Sequence, residues 1–107
     1  MLLFIIGPYR GDFEKNIAAV RVIALTCWRA GFPTIAPHLN TAHFNDDGAD
    51  DEKIYLDGYL EILARCDGVI LAPGWQHSSG SRVELELAKD EMIPVWEWPD
   101  LPEQGRE

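Results

Sequence analysis

At 107 residues the chain is one domain, because two separate cores would each be too small to hold. Eighteen acidic against nine basic residues give a net charge of −9, which excludes a general nucleic-acid binder. Cys27 and Cys66 are too few for a disulfide scaffold and lack C-x-x-C spacing, so they read as buried thiols of a reducing compartment. No apolar run approaches the roughly 20 residues that cross a bilayer, and the opening Met1–Ile6 run lacks the basic start of a signal peptide. The expectation is a soluble, cytoplasmic protein that makes no membrane contact.

Short apolar runs alternate with amphipathic stretches, the pattern of an α/β domain with a parallel sheet. Leu2–Ile6 is unbroken apolar, as expected of a strand covered on both faces. Gly7-Pro8-Tyr9-Arg10-Gly11 turns the chain, and Asp12 is placed to cap a helix from Phe13. In that helix Phe13, Ile17, Val20, Ala24 and Trp28 share one face, until Gly31 and Pro33 stop it. Thr34–Ala36 is a second strand. Pro37–Asp51 reads as a long irregular acidic loop carrying His38 and His43. Their spacing fits neither a zinc nor a calcium pattern, so both histidines are expected in a solvated loop. A second helix follows, with Ile54, Tyr55, Gly58, Tyr59, Ile62, Leu63 and Cys66 on one stripe. Gly68–Ala72 is a third strand, Pro73–Ser81 a loop, Arg82 to about Glu91 a third helix, and Pro94–Trp96 a fourth strand. Residues 1–98 form the domain, and 99–107 are expected to be a polar, frayed tail.

Right-handed crossovers and short connections favour a flavodoxin-like (Rossmann-like) three-layer sandwich, a parallel sheet of four or five strands in the order 2-1-3-4. Strands one and three are then neighbours, with crossovers departing to opposite sides and a crevice at their carboxyl ends. The loops meeting there are Gly7–Gly11 and Pro73–Ser81, so a ligand site is expected between them.

The first loop precedes a helix, where free backbone N–H groups favour an anion and Arg10 can add a forked pair of hydrogen bonds. The alternative is a tight turn with an exposed arginine. The second loop offers the hydroxyls of Ser78, Ser79 and Ser81, with Trp75 placed to stack on a planar ring. His77 reads as an ordinary loop residue. Ser81-Arg82-Val83-Glu84 fits a capping box, with Glu84 satisfying a backbone donor. It equally fits a first-turn carboxylate aimed into the crevice, kept ionised by the helix end and able to attack an anomeric carbon. Spacing cannot separate the two. Arg82, Glu86 and Lys89 read as surface ion pairing. Trp28, Trp96 and Trp98 read as packing or edge residues.

Gly7-Pro8-Tyr9-Arg10-Gly11, Pro37-His38-Leu39, Cys66-Asp67, Pro73-Gly74-Trp75 and Ser78-Ser79-Gly80-Ser81-Arg82-Val83-Glu84 together resemble the nucleoside 2-deoxyribosyltransferase superfamily and the related 2′-deoxynucleoside 5′-monophosphate N-glycosidases. The resemblance spans Leu2 to Val95. It implies that Glu84 is the nucleophile, forming a glycosyl-enzyme intermediate. It implies that Arg10 and Ser78 contact a 5′-phosphate, and that Gly7 and Gly80 let the backbone approach the sugar. Gly11 and Ser81 complete the substrate-binding set. The sequence departs from the family twice. Phe4 stands where the family has a tyrosine, and Tyr59 where it has an aspartate that assists the leaving base. Tyr9 is the candidate for the missing hydroxyl, with Tyr59 as its alternative, and Asp57 the candidate for the missing carboxylate. Asp67 matches a structural position.

The expectation is cleavage or transfer at the N-glycosidic bond of a deoxynucleoside or its 5′-monophosphate, with no metal and no cofactor. The rivals are a nucleotide-binding module on the same fold that has lost the chemistry, and a scaffold with an exposed apolar patch for protein contacts. The resemblance also implies a homodimer or higher homo-oligomer, with apolar helix faces available for the contact.

Overall fold

The computed structural model describes residues 1–42 and 52–103. His43, the acidic run Asp46–Asp51 and residues 104–107 lie outside them. The described elements, in chain order, are β1 (Leu3–Ile6), α1 (Phe13–Arg29), β2 (Thr34–Ile35) and α2 (Pro37–Asn40). They continue with α3 (Glu52–Leu63), β3 (Gly68–Leu71), a 3₁₀ turn (Trp75–His77), α4 (Ser79–Asp90) and β4 (Val95–Glu97). The four strands are all parallel and run β2-β1-β3-β4, the order that the crossover argument requires. β1 and β3 pair from Leu3↔Gly68 to Ile6↔Leu71, and both are wholly buried.

Alternation along the central strands builds two cores, one on each face of the sheet. Leu3, Ile5, Ile70 and Ala72 pack with Val20, Ile23, Ala24 and Cys27 of α1. Phe4, Ile6, Val69 and Leu71 pack with Tyr59 and Leu63 of α3 and Leu85 and Ala88 of α4. This is the α/β/α sandwich. Cys27 and Cys66 belong to opposite cores and are free thiols, and burial raises both thiol pKa values, Cys66 to about 11.

Four local expectations change. On α1 the sheet-facing residues are Val20, Ile23, Ala24 and Cys27, whereas Trp28 is 56% exposed. At 100° per residue Trp28 lies about 80° round from Val20, off the sheet edge. Phe13, at the first helical position, also remains exposed. Pro37–Asn40 is a short helix rather than irregular loop, begun by proline at its first position, where a missing N–H costs nothing. The tail is not frayed through 103: Leu101 packs with Trp96 and Trp98 against the first core, and Pro102 is buried. These residues cover sheet that α1 alone does not reach.

Two substitutions test this packing by urea denaturation. Phe4→Ala, which empties a fully buried ring site, is expected to cost about 3–5 kcal/mol. Met92 follows α4 with φ 58°, in the left-handed region that favours glycine, so Met92→Gly is expected to stabilise by about 0.5–1 kcal/mol.

Candidate functional site

The β1–β3 pairing delivers two loops to the same end of the sheet. The Ala72 N–H donates to the Ile6 carbonyl at 2.8 Å, extending the ladder to the edge of both loops. Beyond it the backbones close up. A Cβ on Gly7 would lie 2.7 Å from the Ala72 Cβ, and one on Gly74 would lie 3.4 Å from the Pro8 Cγ. The expected crevice-lining loops, Gly7–Gly11 and Pro73–Ser81, are therefore in contact.

The first loop is held from three sides. Asn16 of α1 donates to the carbonyls of Tyr9 (3.2 Å) and Arg10 (2.9 Å), and Asp12 caps α1 by accepting from the Lys15 N–H. The Tyr9 ring stacks on Phe13 and meets His38 edge-on, each at 5.9 Å between centroids. His38, expected in solvent, is 3% exposed, and its Nε2 lies 3.0 Å and 2.9 Å from the Gly7 and Pro8 carbonyls. Nothing about an isolated histidine in sequence announces such a long-range contact. Burial, partly offset by those two carbonyls, lowers its pKa, so the ring is neutral at pH 7.

The second loop turns at Gly74 (φ +87°) and is pinned by Arg82, whose Nη1 donates to the Gln76 carbonyl at 2.8 Å. Arg82 thus anchors the loop instead of pairing with Glu86. Ser78, not Ser81, is the cap: its Oγ accepts from the Ser81 N–H, and α4 begins at Ser79. Both capping positions read alike in Ser78-Ser79-Gly80-Ser81. The difference places Glu84 in the second turn, so the Ser81/Glu84 capping box does not form.

Ser81, Glu84, Leu85 and Ala88 are the buried stripe of α4. Leu85 and Ala88 fill the second core, and Ser81 and Glu84 continue the stripe toward the loops. Glu84 is 8% exposed, and burial pushes its carboxyl up to about 8. The expectation that the helix end keeps it ionised is corrected: the dipole acts within the first turn, and at Glu84 desolvation dominates. Among the described residues its carboxyl has no hydrogen-bond partner, and burial alone accounts for the shift. Ser81 Oγ and Trp75 Nε1 are buried polar atoms that also lack one. Buried polar atoms are normally paired, so the unmatched Ser81 Oγ and Trp75 Nε1, at the second loop and the start of α4, make this the candidate site.

Trp75 is half-buried and packs against the second core, making it a wall rather than a free stacking plate. Gly80 has open space around its Cβ position, and Gly11 takes a positive φ at the end of the first loop. Arg10 and His77 are exposed. Asp57 is not brought to the crevice: it lies on the outer face of α3, paired at 2.6 Å with Lys53 one turn away. Tyr59 is fully engaged elsewhere, its hydroxyl accepting from Asn40 Nδ2 (2.9 Å) and donating to Thr41 Oγ1 (3.0 Å). Asp67 binds the Leu2 N–H at 2.7 Å and anchors the start of β1. Among the described residues no three His, Cys, Asp or Glu side chains cluster as a metal site.

The Glu84 shift makes stability depend on pH. The unfolded carboxyl releases its proton near 4.5 and the folded one near 8, so between these values the folded chain holds more protons and stability falls as pH rises. Relative to Glu84→Gln, the parent is expected to lose about 1.4 kcal/mol per pH unit across that window. Urea denaturation of both proteins at pH 5, 6.5 and 8 measures this. A difference that stays constant with pH contradicts a buried, neutral Glu84.

No helix among the described residues is long and apolar enough to cross a membrane. Among curated proteins, none matches the sequence. A family model, a domain of unknown function (DUF7768), matches residues 1–98, which includes both loops, His38 and Glu84. The chain is a member of the DUF7768 family.

Proposed function

We propose that the protein is an enzyme of N-glycosidic bonds, acting on a deoxyribonucleoside or its 5′-monophosphate with Glu84 as nucleophile. The observation that carries this reading is the buried Glu84 carboxyl, without a described partner, on the α4 stripe that leads to the two contacting loops. The resemblance to nucleoside 2-deoxyribosyltransferases supports it at the same residue.

In this reaction an ionised Glu84 oxygen bonds to C1′ while the C1′–N bond breaks, and the base departs with the electron pair and takes a proton from solvent. Water, or a second base in a transfer, then attacks C1′ and releases the carboxylate. Ser81 Oγ and Trp75 Nε1 supply unused donors facing the sugar and base. The Ser78 hydroxyl, the first N–H groups of α4 and Arg10 supply donors for a 5′-phosphate. Tyr9, fixed between Phe13 and His38, borders the substrate. Asp57 takes no part. The buried free thiols fit a reducing, cytoplasmic setting.

Because the nucleophile must first lose its proton, kcat/KM is expected to rise with pH and level off above about 8. At pH 7 it should stand roughly tenfold below that plateau. Base release from deoxynucleosides and their monophosphates, followed chromatographically, measures it. Glu84→Ala should abolish turnover, and retention of parental activity overturns the assignment.

A second reading, a nucleotide-binding module without chemistry, is favoured by Phe4 and Tyr59. Phe4 is wholly buried with no hydroxyl, and the Tyr59 hydroxyl is consumed by Asn40 and Thr41. Calorimetric binding of a deoxynucleotide without base release selects it.

The protein is also proposed to associate with a second copy of itself through α1. Val22, Leu25 and Trp28 are exposed there beside Leu39 of α2, lining a groove with Ala18 and Arg21. The basic Lys15, Arg21 and Arg29 of this helix outnumber its single acid, Glu14. Sedimentation should give a dimer for the parent and a monomer for Trp28→Glu.

A further inference from the structure

α2 is four residues long, and His38 is its one buried side chain. Both ends of this short element are tied. On one side Tyr59 of α3 bonds Asn40 and Thr41, and Thr41 Oγ1 donates to the Pro37 carbonyl at 3.2 Å. On the other, the His38 ring reaches the exit of β1. A carbonyl can only accept, so a ring nitrogen 2.9–3.0 Å from two carbonyl oxygens must carry the proton. That defines the Nε2–H tautomer. His38 Nδ1 is buried and unpartnered, an arrangement tolerable for a lone pair and costly for an N–H.

The two carbonyls belong to Gly7 and Pro8, where the first loop presses on Ala72 and Gly74. The next residue is Tyr9, whose ring rests edge-on against the His38 ring. We propose that His38 is a positioning residue: as the neutral Nε2–H tautomer it clamps the Gly7 and Pro8 carbonyls and so sets where Tyr9 and Arg10 stand at the mouth of the site. The chain Tyr59–α2–His38–Gly7 links α3 to the first loop. It gives the Tyr59 hydroxyl a supporting role at the site. His38 itself touches no substrate, because its ring is enclosed.

The test uses the full chain, with His38→Leu, which removes the donor, and His38→Gln, which keeps an N–H at similar reach. Long-range ¹H–¹⁵N spectra of the unliganded parent at pH 7 should show one His38 form, protonated at Nε2. An Nδ1–H form, or an exchanging mixture, overturns the proposal. In His38→Leu the amide signals of Tyr9, Arg10 and Gly11 should shift while those of β3 and β4 stay, and His38→Gln should return them toward the parent. A glutamine variant no closer to the parent than the leucine variant marks His38 as mere packing and overturns the role. Should the leucine variant fail to fold, the parent tautomer and the loop signals of His38→Gln still decide. The ligand arm rests on the nucleotide reading above. The Kd for a deoxynucleoside 5′-monophosphate should weaken about tenfold in His38→Leu and recover to within about threefold in His38→Gln. If the parent binds no nucleotide, that reading falls while the loop signals still judge His38.

Discussion

The parallel pairing of β1 with β3 is the constraint on which the site depends. Four consecutive paired positions, four residues on each strand, are wholly buried, and the register sets Ile6 beside Leu71. Gly7 and Ala72 then follow side by side, with no room for a Cβ on the glycine. A side chain at Gly7 would force the loops apart at the place where the α1 and α4 crossovers leave the sheet in opposite directions. The meeting of the two loops is thus a product of strand order, and the glycine is what lets them close up. Asp67 reinforces the other end of the same pair by holding the Leu2 N–H.

Beyond that junction, on the α4 stripe that begins at the second loop, the fold holds a largely buried carboxyl. Glu84 lies on the same stripe as Leu85 and Ala88, and the helix that carries it was positioned by the Ser78 cap rather than by Glu84 itself. Its proton affinity is therefore a property of packing, raised by burial. This is the arrangement expected of a reactive group and is costly for a purely structural one.

Much of this was legible in the residues. The unbroken apolar runs Leu2–Ile6 and Gly68–Ala72 read as doubly covered strands, and crossover handedness with short connections favours the order found. That order alone singles out both loops. What escaped was whatever depends on contacts distant in sequence or on a choice between equivalent caps. Ser78 and Ser81 are equally good caps by type, and only the packing of Leu85 and Ala88 selects the helix phase. Asp57 looked available because its i+4 partner Lys53 is invisible to an argument about the crevice. His38 and Tyr59 read as loop histidine and spare hydroxyl, because nothing local reveals that the one meets the β1 exit and the other the end of α2. Trp28 lies beyond the sheet and Leu101 covers part of it, because a four-stranded sheet has a finite width that sequence periodicity does not reveal.

The central claim is that Glu84 forms and breaks a bond to the sugar. Acid-quenched protein from incubation with a deoxynucleoside or its 5′-monophosphate, digested and read by mass spectrometry, tests it most directly. The account predicts a deoxyribosyl ester on the peptide that contains Glu84, absent from Glu84→Gln. Base release with no such ester, or an ester on another residue, would contradict it.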